Sequence, residues 1–114
     1  MINKIELLEL IKNALNVLDS LSIQFKMYGK ETESYKSTFK VLSLLRKEVE
    51  QNSENINERI LRAMHDIGMS AYKEFENTEM ETAINNITSV LYNEIPHYKT
   101  LKPLRMDFGK EYPI

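Results

Sequence analysis

At 114 residues, with 42% hydrophobic and 28% charged side chains, the chain has the size and make-up of one globular domain built on a single core. The 15 basic and 17 acidic residues leave a formal charge of −2, a balance that does not advertise a nucleic-acid partner. The absence of cysteine excludes disulfides, thiolate catalysis and thiolate metal sites, and no apolar run nears the ~18 residues that would cross a bilayer. The opening MINKIELLELIK alternates charge with leucine where a signal peptide needs an unbroken apolar block, so a cytoplasmic protein is expected. Abundant lysine, asparagine and isoleucine suggest an AT-rich bacterial source.

All three prolines fall at or after Pro96, and only Gly29 and Gly68 occur before it. Long helices are therefore permitted up to residue 95 and interrupted afterwards. The first predicted helix, about 3–27, carries Leu7, Leu8, Ile11, Leu15, Leu18 and Leu21 at spacings of three and four. Gly29 reads as its left-handed terminator, with Lys26 and Lys30 near the last carbonyls. The second, about 33–51, aligns Tyr35, Phe39, Leu42, Leu45 and Val49, broadened by Val41 and Leu44.

The polar stretch QNSEN separates it from a third helix, about 56–75, which Asn55 and Glu58 are spaced to cap. Its buried face is Ile56, Ile60, Ala63, Met64, Ile67, Ala71 and Phe75, and Glu58, Arg62 and Asp66 read as a solvated ion-pair ladder on another face. Gly68 inside it costs ~1 kcal/mol against alanine, which suggests a local reason such as close backbone approach by a neighbouring helix. Thr78 and Glu81 have capping-box spacing and open a fourth helix, about 79–94, with Met80, Ala83, Ile84, Ile87, Val90 and Leu91 inward and Pro96 ending it. The expected fold is all-α, one domain over residues 1–114: an up-down four-helix bundle with an extended, proline-containing tail, 95–114, packed across it.

Chemistry finds little support. His65 has no second ligand one turn away, and no Glu-x-x-His unit exists, so no metal or cofactor is expected; His65 reads as a residue pairing with Asp66 or a neighbouring helix, and His97 as a hydrogen-bonding residue at a turn. No nucleophile elbow or phosphate-cradling glycine loop is present, and an enzyme is not expected. The densest acidic run, KEFENTEMET, holds Glu74, Glu76, Glu79 and Glu81; Glu79 and Glu81 suit a helix start, and the run as a whole could receive a basic partner.

The tail reverses the charge sign. Lys99, Lys102, Arg105 and Lys110 outnumber Asp107 and Glu111, and Tyr98, Phe108 and Tyr112 are interleaved. Its apolar content is too high for a solvated linker, so it is read as a strap bound to a surface, with Arg105, Phe108 and Tyr112 offered to another molecule. The function expected is a protein-binding module, of which a bacterial immunity protein or antitoxin covering the active site of a toxin is one form, with Glu74, Glu76 and Glu79 mimicking phosphate. The alternative is a helical regulator or nucleic-acid accessory protein that uses the basic, aromatic tail.

Overall fold

A computed structural model describes residues 3–105, and the sequence-based readings of Phe108 and Tyr112 lie outside them. Among the described residues there are four α-helices and no strand: α1 (Lys4–Gln24), α2 (Glu33–Asn52), α3 (Glu58–Glu74) and α4 (Glu79–Glu94). Single 3-10 turns follow α1 at Lys26–Tyr28 and α4 at Tyr98–Thr100.

Each helix starts on a short polar side chain that accepts a hydrogen bond from an otherwise unpaired amide of the first turn. Asn3 accepts from Glu6, Thr32 from Tyr35, Asn57 from Arg59 and Thr78 from Met80. The cap of α3 is thus Asn57 and not Asn55, which sits in the preceding turn with its amide on the Asn52 carbonyl. The end of α1 also departs from expectation. The chain leaves the helix at Phe25 with extended backbone, and Gly29 has φ −56, so it terminates nothing by a left-handed conformation. That conformation belongs to Asn77 (φ 62), in the turn between α3 and α4. There Asn tolerates what most residues resist.

The helices surround one core. Leu7, Ile11 and Leu18 of α1, Leu42, Leu45 and Val49 of α2, Ile60, Met64 and Phe75 in and after α3, and Met80, Ile84, Ile87 and Leu91 of α4 are all buried. Chain neighbours pack together, and α1 closes the ring against α4. Nζ of Lys4 donates to the Glu50 carbonyl, which brings the start of α1 to the end of α2. Phe39 does not join this core. It is 47% exposed and stacks on Tyr35, because Thr38 takes the inward position in that turn. A helix stripe defined by 35, 42, 45 and 49 passes through 38, and 39 lies about 100° beyond it.

At Gly68, Thr88 of α4 packs directly on α3. A Cβ there would stand 2.8 Å from Cγ2 of Thr88, so it is a side chain and not a backbone that requires the glycine. After Pro96 the chain turns back over the bundle. Tyr98 is fully buried, Leu101 packs on the core, the Leu104 amide donates to the Arg62 carbonyl, and Nε of Arg62 donates to the Lys102 carbonyl. Arg62 therefore serves the returning chain and not the ladder with Glu58 and Asp66 expected of it.

Candidate partner-binding groove

The return of residues 101–105 places Arg105 at a groove between α2 and α3. Glu33 and Ser37 from the first turns of α2 form one wall, Asp66, Met69, Ser70, Lys73 and Glu74 of α3 the other, and Tyr72 and Ile67 contribute apolar surface; the volume is about 380 Å³. One guanidinium nitrogen of Arg105 lies 3.7 Å from a Glu33 carboxylate oxygen, with both side chains mostly exposed. Such a pair is screened by water and sets direction more than stability.

Asp66 sits deeper. Burial raises its carboxyl above the ordinary aspartate value, and the charges of Arg105 and His65 pull it part of the way back. The Ser70 hydroxyl donates to the Asp66 backbone carbonyl, one turn earlier in the helix. Two large apolar side chains also stand exposed in the groove: Met69 is 55% and Tyr72 57% exposed. Methionine, tyrosine and arginine are the residue types enriched where proteins meet, and here they share a concavity with carboxylates at its edges.

The groove gathers two of the residues singled out from sequence and leaves others apart. Glu74 and Arg105 line it together. Glu76 and Glu79 are exposed beside it, in the turn after α3 and the first turn of α4, and are not among its lining residues. Met69, Tyr72 and Glu33 were not foreseen. A signal existed for the first two: they are large apolar residues off the Ile60, Met64, Ile67, Ala71 stripe, and such residues face solvent unless something covers them.

A wider cleft, about 770 Å³, lies at the other end of α2 and α3. Glu48, Glu54, Glu58 and Glu94 line it over Ile56, Leu61 and Ile95, and His97 closes one side. One Glu48 carboxylate oxygen accepts from the Asn57 amide and so ties α2 to the cap of α3. His97 takes part in its turn by accepting from the Thr100 amide and hydroxyl through its backbone carbonyl.

His65 faces α4. It is 91% buried, its Nε2 lies 3.4 Å from the Tyr92 hydroxyl, and its ring meets that of Tyr98 edge-on. Among the described residues no group of three histidine, cysteine, aspartate or glutamate side chains is placed to hold a metal ion. No helix formed by those residues is long and apolar enough to cross a membrane. Comparison with protein-family models, curated proteins and solved structures found no match to this chain. Function must then be argued from the geometry.

Proposed function

We propose that this chain is an up-down four-helix bundle that works in the cytoplasm as a protein-binding module, with the α2–α3 groove and its rim as the contact surface. The observation that carries the reading is the pair Met69 and Tyr72, each more than half exposed beside Arg105 and Glu74 in one concavity. Exposed apolar side chains ringed by charge suit a partner that inserts an apolar side chain and presents cations to Glu33, Glu74 and the adjoining Glu76 and Glu79. In the more specific form of the proposal the partner is a bacterial toxin whose basic active-site cleft is covered, the carboxylates standing in for substrate phosphates. The rival reading, nucleic-acid contact through the basic tail, is disfavoured by the surroundings of Arg105, which faces Glu33 and Asp66.

The test uses the full chain and the product of the adjoining reading frame. Coexpression should relieve toxicity and the two proteins should co-purify. Replacing Met69 and Tyr72 together by alanine should weaken the complex by roughly 2 kcal/mol or more, as loss of a central apolar anchor does. Reversing Glu74, Glu76 and Glu79 to lysine should chiefly slow association. Undiminished neutralisation by the lysine variant would discard the phosphate-mimic mechanism, and an unchanged complex with the double alanine variant would discard the groove.

A further inference from the structure

A third opening, about 230 Å³, lies on the adjoining flank of α3, against α4, and shares Met69 with the α2–α3 groove. His65, Met69, Asn85, Thr88, Tyr92 and Tyr98 line it, and none of these carries a fixed charge. Three of its rings meet edge to face: His65 and Tyr98 at 5.2 Å, Tyr92 and Tyr98 at 5.0 Å. Such walls favour a further planar ring over an aliphatic or ionic guest.

Two of the lining side chains keep a polar atom without a protein partner, Nδ1 of His65 and the hydroxyl of Tyr98, although both residues are at least nine-tenths buried. A third orphan, the Thr38 hydroxyl, lines none of the three openings and stands alone. A phenylalanine would fill the space of Tyr98 without a buried hydroxyl to leave unpaired, so the hydroxyl works against folding unless something outside the chain accepts from it. Burial keeps that hydroxyl protonated far into the alkaline range, which makes it a standing donor. The hydroxyl itself is closed off in this structure, and Tyr92, at 38% exposure the most accessible of the three rings, packs edge to face on the Tyr98 ring.

We propose that this cavity, with the Tyr92 ring turned aside, binds a small, uncharged, single-ring aromatic molecule whose carbonyl or ring-nitrogen acceptor takes the hydrogen bond of the Tyr98 hydroxyl. The volume sets the size, since drug-sized ligands occupy ~300–1,000 Å³. No lysine, arginine, aspartate or glutamate lines the cavity, and this sets the charge, because an ion would enter without a permanent counter-charge. Asn85, exposed at the cavity's edge, offers a further polar contact.

The experiment titrates benzamide and nicotinamide into the full chain and follows backbone amide resonances. Saturable shifts concentrated at Gly68, Thr88 and Tyr98 are expected, with benzoate, the same shape with a charge, binding at least about tenfold more weakly. Tyr98→Phe should weaken benzamide roughly five- to tenfold while raising the thermal unfolding midpoint, a combination that a merely structural tyrosine would not produce. Absence of saturable shifts from both amides at millimolar concentration overturns the proposal. Equal affinity in Tyr98→Phe, or shifts confined to the α2–α3 groove, would do so as well.

Discussion

Toward α2, helix α3 leaves Met69 and Tyr72 more than half exposed among carboxylates and Arg105, whereas toward α4 it buries His65 against Tyr98 in surroundings without fixed charge. On the first flank the polar groups other than Asp66 keep their water, and the exposed apolar surface costs the fold little. On the second, His65 and Tyr98 are taken out of water, and one polar atom of each has gained no partner within the protein. The difference teaches where a substitution will be felt: on the α2 flank in recognition, on the α4 flank first in stability.

The largest contrast comes from one truncation on each side. Tyr98→Ala should cost about 3–5 kcal/mol, since it empties a fully buried aromatic site that closes the bundle over α3 and α4. Tyr72→Ala should change stability by less than about 0.5 kcal/mol. Urea unfolding followed by circular dichroism measures both, and equal costs would abolish the distinction between the flanks. A smaller effect is expected at the helix crossing. Gly68→Ala gains ~1 kcal/mol of helix propensity but drives a methyl into Cγ2 of Thr88, a stiff β-branched side chain, for a net loss of about 1 kcal/mol. Combining it with Thr88→Ser, which removes that methyl, should recover the loss in a double-mutant cycle.

Helix α4 was legible to the residue because chemistry marks both of its ends: Thr78 caps the start, and Pro96 holds Ile95 in extended backbone at the finish. The end of α1 has no such mark. Phe25 leaves the helix where its ring meets Tyr28 edge-on, and Tyr28 in turn stacks on Phe75 after α3, so the stop goes with tertiary packing that no local window contains. Phe39 misled for a related reason: an aromatic residue near the edge of a stripe can stack on a neighbour as easily as enter the core, and Thr38 holds the inward position. The groove was half legible. Composition pointed to Glu74 and Arg105 separately, but their meeting depends on the chain folding back through Leu104 and Arg62. No periodicity encodes that.

Tyr98 offers the next test of the comparison. Its hydroxyl has a raised pKa in the folded state, so above the ordinary tyrosine value near ~10 the unfolded chain loses a proton that the folded chain keeps. Stability should fall as pH rises past that point, and Tyr98→Phe should both remove this alkaline loss and add about 1 kcal/mol at neutral pH by deleting an unpaired buried hydroxyl. Urea midpoints at pH 7 and 11 would show it, and a variant as alkali-sensitive as the parent would mean that the hydroxyl is solvated.

The smallest effect belongs to Asp66, which lines the groove yet is already partly withdrawn from water. Its folded pKa is raised by burial, so the folded state holds the proton more tightly than the unfolded one. The contribution is therefore favourable at low pH and is lost as pH climbs from the ordinary aspartate range through the raised value, opposite to the usual behaviour of a carboxylate in an ion pair. Arg105 reduces the shift, so Arg105→Ala should raise the Asp66 pKa further and steepen the loss, while Asp66→Asn should flatten it. Carboxyl-resonance titration of Asp66 in the parent and in Arg105→Ala decides the matter. If the pKa does not move, Arg105 is not electrostatically coupled to the groove, and its place there is one of contact alone.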